Sequence, residues 1–182
     1  MSDFASRKER RKKEKNSMRE LLESVIIAVI MALIIRTFLF QFFWIPSRSM
    51  EETLLIKDRI VVSRFTYHFQ EPERGDIIVF KYPLDPKTDF VKRLVGLPGE
   101  KIEFVGGNLY VNDLLINEDY LGENTYTHDF GPVEVPQGSY FLLGDNRGNS
   151  SDSRVWGFVS KELIKGKAQV IYWPLDRMGR IK

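Results

Sequence analysis

The chain reads as mainly β: one membrane-crossing helix near the N-terminus, then a single β-rich domain of antiparallel sheet. Three observations predict this. A long apolar run, LLESVIIAVIMALIIRTFLFQFFWI over Leu21 to Ile45, precedes everything that looks globular. After Pro46 the hydrophobic pattern changes to short runs bounded by Gly, Asn and Pro, as strands and tight turns require. With 182 residues, the chain has room for one modest domain once its ends are set aside.

The N-terminal tail comes first. Eight of the first twenty residues are Lys or Arg and four are acidic, although the whole chain carries a formal charge of only +2. Positive charge is therefore local. Arg7-Lys8-Glu9-Arg10-Arg11-Lys12-Lys13 could be a nucleic-acid arm or a solvated tail, but the apolar segment beside it favours a membrane-flanking role with no nucleic-acid partner. About 20 apolar residues cross a bilayer core, and Glu23, Arg36 and Gln41 interrupt the run, so the helix is assigned to residues 21–38. This gives a basic tail over 1–20, an anchor over 21–38 and a domain over 39–182. The aromatic residues from Phe38 to Trp44 then lie at the outer interface or begin the domain. The basic flank predicts a cytoplasmic N-terminus and an exported domain in the cell membrane. No clean small-x-small site follows Ile35, which favours an uncleaved anchor over a signal peptide, and a buried core helix would not explain the flank. The chain has no cysteine, which excludes disulfides, thiolate catalysis and cysteine metal sites.

Strands are expected at Ile60 to Ser63, Asp76 to Phe80, Phe90 to Val95, Lys101 to Phe104, Leu109 to Val111, Tyr140 to Leu143 and Ala168 to Trp173. Gly106-Gly107, Asn112-Asp113 and Pro136-Gln137-Gly138 supply the dihedrals of the connecting turns. Gly96-Leu97-Pro98-Gly99 lacks the spacing of a Walker sequence and reads as a plain turn. One helix is expected over Ser160 to Lys165, with Ser160 as N-cap and Gly166 as terminator. Glu118 to Gly131 is polar and aperiodic, and reads as a surface excursion.

Two residues suggest chemistry. Ser49 sits in Pro46-Ser47-Arg48-Ser49-Met50, just after the apolar run, and Lys92 in Phe90-Val91-Lys92-Arg93. A serine hydroxyl is a weak nucleophile until a base takes its proton, and lysine is a base only where burial keeps its amine neutral. On a strand, Phe90 and Leu94 would share the Lys92 face and help desolvate it. His68 and His128 are near no nucleophile-like motif, so lysine is the better candidate. Taken alone, the serine could be a turn former and the lysine a solvated edge charge.

Four segments in order, behind the anchor, turn that judgement. PSRSMEETL at Pro46 to Leu54, RGDIIVF at Arg74 to Phe80, FVKRLVGLPGE at Phe90 to Glu100 and GDNRGNSSDSRVWG at Gly144 to Gly157 together resemble bacterial type I signal peptidases, the membrane-bound Ser/Lys endopeptidases. The resemblance covers almost the whole chain and implies that family's β-rich catalytic domain. It departs from the commonest wording at Arg48 and Glu52, where glycine and proline are frequent; loss of the proline could loosen the turn after Ser49. What it implies is a serine endopeptidase that removes signal peptides from exported preproteins after small residues at −1 and −3, through an acyl-enzyme and without metal or organic cofactor. Its partners would be signal-peptide-bearing preproteins, the lipid bilayer and the export machinery.

Residue by residue, the resemblance makes Ser49 the nucleophile and Lys92 its base. Ser150 would hydrogen-bond and orient the lysine amine, and Ser47 would join the Ser49 backbone N–H in the oxyanion hole. Asp152 with Arg154, and Asp145 with Arg93, would be supporting ion pairs. Phe43, Ile45, Met50, Leu54, Val79 and Val91 would surround small substrate pockets, or be ordinary core. An extended substrate would add as a strand beside Asp89 to Val91 and the segment before Ser49. Two other functions share these features: a self-cleaving Ser/Lys protease, and an inactive anchored homologue that binds export intermediates.

Overall fold

The computed structural model describes residues 18–33, 39–122 and 125–181. They divide into two compact units between Leu39 and Phe40. In the first, residues 18–33 form helix α1. Its apolar residues include Val25, Ile26, Ile27, Val29, Ile30 and Met31, all at least half exposed, so they wrap the helix instead of forming one stripe. Near its start Arg19 pairs with Glu23 at 2.9 Å, one turn apart. Among the described residues no helix is long and apolar enough to cross a membrane. The expected anchor runs on through 34–38, and the basic tail lies almost wholly in 1–17; both stretches fall outside the described residues.

The second unit is antiparallel sheet. In chain order it contains β1 (Phe40–Trp44), β2 (Arg59–Ser63), α2 (Thr66–Phe69), β3 (Ile77–Tyr82), β4 (Asp85–Gly96), β5 (Lys101–Val105), β6 (Asn108–Val111), β7 (Leu114–Ile116) and β8 (Phe130–Glu134). It continues with β9 (Ser139–Leu143), α3 (Ser153–Trp156), β10 (Val159–Ser160), β11 (Ile164–Trp173) and β12 (Gly179–Arg180). The larger sheet has the order β1-β2-β11-β3-β4-β9-β10, with β12 also on β11; the smaller is β7-β6-β5-β8. Two-residue turns at Gly106-Gly107 and Asn112-Asp113, all four residues at positive φ, close the β5–β6 and β6–β7 hairpins.

Alternation along β3 explains how the core divides. Ile77 and Val79 pack with Ile45, Met50, Leu54, Ile60, Val62 and Ile171 on one face. Ile78 and Phe80 pack with Leu94, Tyr140, Leu142 and Val159 on the other. Because β3 is covered on both faces, its sequence is an unbroken apolar run, not an alternating one. The smaller sheet has its own core around Ile102, Phe104, Leu109, Val135 and Phe141.

Two expectations are corrected. The helix expected over Ser160 to Lys165 is a single 3-10 turn, Lys161–Leu163, and β11 begins at Ile164. Ser160 makes no side-chain cap bond, and Gly166 does not terminate a helix: it lies within β11, where a Cβ would come 2.3 Å from the Ser63 carbonyl. Glu118 to Gly131 is also more than a surface excursion. Thr127 within it is 1% exposed, the Glu118 side chain 8%, and β8 begins at Phe130.

Candidate active site

Strand β4 presents Lys92 inward, opposite Ile78 of β3 and with Leu94 two residues on. The side chain is 3% exposed, and its ammonium lies 5.3 Å from the Phe90 ring centroid. Burial pushes its pKa down from 10.5 to about 8, against the opposing pull of Asp152 and Asp145. Roughly a tenth of such lysines are neutral at pH 7, against about one in 3,000 without the shift. Lys92 Nζ lies 2.7 Å from Ser49 Oγ and 3.2 Å from the Val91 carbonyl.

Ser49 stands in the loop after β1. Backbone bonds between Ile45 and Asp58 (2.9 Å) and between Lys57 and Ile45 (2.9 Å) close the loop at its base, and the fully buried Met50 and Leu54 root it in the core. Ser49 is 8% exposed, and Ser47 Oγ is 3.4 Å from Ser49 Oγ. The two hydroxyls therefore converge on one point. Glu52, where the family often has proline, has φ +87°. A proline ring holds φ near −65°, so this loop uses a left-handed turn that proline could not enter.

The 144–152 segment is pressed against this loop. The Asn146 amide donates to the Ser49 carbonyl at 3.1 Å. At Gly144 a Cβ would lie 2.3 Å from that same carbonyl and 2.2 Å from Ser150 Oγ, so only glycine permits the approach. Ser150 thus belongs to the site, but its expected bond to Lys92 is absent: Ser150 Oγ is buried with no hydrogen-bond partner among the described residues. Local geometry explains this. The residue follows the 3-10 turn Arg147–Asn149, which packs its hydroxyl against Gly144, and the nearest acceptor of the Lys92 amine is Ser49.

Two buried ion pairs hold the parts in register. Arg93 bonds both oxygens of Asp145 (2.9 and 2.8 Å), and Arg154 both oxygens of Asp152 (2.8 and 2.8 Å). Around them are groups that motif reading did not single out. Thr53 Oγ1 donates to Asp145 at 2.6 Å, and the Arg93 guanidinium stacks on Tyr120 at 3.8 Å. Arg147, with no exposed side-chain surface, pairs with Glu118 and donates to the Gly144 carbonyl at 3.1 Å. Arg147 lies inside the Gly144 to Gly157 segment with no role read for it there, and its partner Glu118, 29 positions earlier, carries no local signal.

A cleft of about 340 Å³ runs past the serine and lysine, with Pro46, Arg48, Phe90, Val91 and Ser151 among its walls. Of the six residues expected around substrate pockets, Val91 alone lines it. Ile45, Met50, Leu54 and Val79 are at most 2% exposed and belong to the core, with Phe43 packed against them. Their apolar side chains gain more from joining the β3 interior than from facing an open cleft.

Residues 18–173 match the family described as Signal peptidase, peptidase S26. A probable signal peptidase I-2 of Synechocystis sp. is 42% identical, over 98% of this chain and 85% of its own length. A signal peptidase I P of Bacillus subtilis subsp. natto is 39% identical, over 96% of this chain and 99% of its own. A crystal structure of a signal peptidase I from Enterococcus faecalis V583 is 38% identical, covers 54% of this chain and 97% of that chain, and has a TM-score of 0.48.

Proposed function

The chain belongs to the signal peptidase family, peptidase S26, and from that premise we propose that Ser49 and Lys92 are the nucleophile and general base of its reaction. It is a serine endopeptidase that cleaves signal peptides from exported preproteins. One observation carries the assignment of residues: a lysine amine that is almost wholly buried, 2.7 Å from a serine hydroxyl.

The reaction follows from these groups. Ser49 Oγ attacks the scissile carbonyl as its proton passes to Lys92 Nζ. The oxyanion is held by the Ser49 backbone N–H and the Ser47 hydroxyl; a donor of this kind is typically worth about 2.7 to 4 kcal/mol. Lys92 then protonates the leaving amine, which departs as the mature N-terminus. The neutral amine next takes a proton from water, whose oxygen attacks the acyl carbon; the acyl–Oγ bond breaks, the amine returns its proton to Ser49 Oγ, and the signal peptide leaves as a carboxylic acid. Ser150 enters as the second partner of the amine once Ser49 is acylated and no longer engages it. Arg93 with Asp145 and Arg154 with Asp152 act by holding geometry.

The edge of β4 supports an extended substrate. β9 pairs with β4 only at Arg93, Leu94 and Gly96, so among the described residues the Asp85 to Val91 half has β3 on one side and no strand on the other. A signal peptide adding there would place alternate side chains, −1 and −3, on the side facing Ser49 and Lys92, where the cleft leaves little room.

We assign residues 21–38 to an anchor with the N-terminus cytoplasmic and the domain outside. The apolar surface of α1 and the basic residues before it support this reading. So does an exposed aromatic face on the domain: Trp44 of β1 and Trp173 of β11 both sit opposite Arg59, with Phe42 and Leu175 also exposed. The test is incubation of the full chain with a labelled preprotein. Wild type should release a mature fragment whose new N-terminus follows a small residue, and Ser49→Ala should release none. Cleavage by the variant would remove Ser49 from the mechanism.

A further inference from the structure

We infer that Arg48 is a specificity-determining residue, whose guanidinium selects preproteins bearing a carboxylate beside the scissile bond. The inference rests on the assignment of Ser49 as nucleophile.

Three charged side chains line the cleft: Arg48, Asp89 and Lys92. Two are already accounted for. Asp89 is bound by Lys165 at 2.7 Å, and the Lys92 amine is turned inward on Ser49. Arg48 has no ion-pair or side-chain hydrogen-bond partner among the described residues and stands exposed at the rim. Neighbouring acids do not neutralise it: Glu51 accepts from Asn146 at 3.3 Å, and Glu52 packs against Gly122. The charge that a bound peptide meets in this cleft, outside the reacting pair, is therefore one uncompensated cation.

Its position limits which substrate residues it reads. Ser47 and Ser49 turn their hydroxyls toward one another, 3.4 Å apart, at the reacting centre. Arg48 lies between them in sequence, lines the same cleft and is exposed to solvent, with no hydrogen bond to either hydroxyl. In an extended peptide the −1 and −3 side chains descend toward the hydroxyls, while the −2 and +1 side chains point to the opposite side. A carboxylate at −2 or +1 is thus the group Arg48 meets. An arginine is suited to this because its fork accepts a carboxylate in two parallel hydrogen bonds.

The selection is modest, because the pair is solvated. An exposed ion pair contributes a factor of about two to five in kcat/KM. The experiment uses the full chain in detergent and a preprotein series carrying Asp, Asn or Lys at −2 and +1 in turn. In wild type, Asp should be cleaved about two- to fivefold faster than Lys at one or more of these positions, with the ratio shrinking at high salt. Arg48→Glu should reverse that ratio and Arg48→Gln should bring it near unity. A ratio that is the same in wild type and both variants at both positions overturns the proposal. Loss of all cleavage in wild type, or full cleavage by Ser49→Ala, would instead overturn the nucleophile assignment, so the two failures are separate.

Discussion

With Lys92 proposed as the base, a single residue sets the expected pH dependence of cleavage. Its amine is a base only when neutral, and burial brings its pKa to about 8. Cleavage should therefore rise with pH and level off above about 8. A kcat/KM profile already flat below neutrality would remove Lys92 as the base. The same shift sets a stability window. Below about pH 8 the lysine is protonated in both folded and unfolded chains, and the fold bears the full cost of burying the charge. Between about 8 and 10.5 the unfolded chain binds the extra proton, so stability rises with pH until both states are neutral. Lys92→Met should abolish cleavage and lack that rise. It should also be more stable at neutral pH by something on the order of 3 kcal/mol, less whatever the lost contact with Ser49 contributes, as thermal unfolding across pH would report. Residues of this kind were legible because each lies in a short segment with its own wording. Ser49, Lys92, Asp145 and Asp152 could be named from PSRSM, FVKR and GDNRGNSSDSR alone. Thr53, Glu118 and Tyr120 could not, since their importance comes only from what the fold places beside them.

At the scale of elements, the 118–131 segment shows where a polar, aperiodic sequence misleads. Its Glu118 reaches Arg147, its Tyr120 covers the Arg93 guanidinium, and its Thr127 meets Arg147 at 3.3 Å. Burial raises the Tyr120 phenol, which donates to Glu118. Glu118, Tyr120 and Thr127 thus satisfy two buried arginines behind the Ser49 loop. Removing one partner of a buried pair leaves an uncompensated charge and costs about 3 to 5 kcal/mol. Glu118→Ala should therefore lower the unfolding temperature and reduce kcat more than KM, because Arg147 also holds the Gly144 carbonyl against the Ser49 loop. Unchanged unfolding would mean that the pair is solvent-screened. Strands were legible where one face alternates or both are apolar, as in β3 and β5. β1 was hidden because its aromatic residues continue the apolar run before it. The start of β11 was hidden because Ser160 and Gly166 bracket a plausible helix, while Gly166 is in fact needed for close approach to Ser63.

Across the whole molecule, β-sheet order decides what faces where. In β1, β2 and β11, Ile60 and Ile171 turn to the core, while Trp44, Arg59 and Trp173 occupy neighbouring strands at one register level on the opposite face. Directly opposed residues in an antiparallel pair share a face, so Trp44 and Trp173 flank Arg59, with Phe42 two residues along β1. Trp44 is 59% exposed and Trp173 48%, a costly arrangement in water but a favourable one at a lipid headgroup boundary, where an indole buries its ring and keeps its N–H wet. Trp156 is the third tryptophan and packs against Phe80 at 5.8 Å on α3. This difference makes the bilayer assignment measurable. In full-length protein reconstituted into vesicles with brominated lipids, variants that retain one tryptophan, the other two being replaced by phenylalanine, should report separately. Emission from Trp44 and from Trp173 should be quenched and that from Trp156 left nearly unchanged. If none of the three is quenched, the aromatic face does not meet the bilayer, and its exposure must serve a different partner. If Trp156 is quenched most, α3 and the end of the sheet that carries it are what approach the lipid.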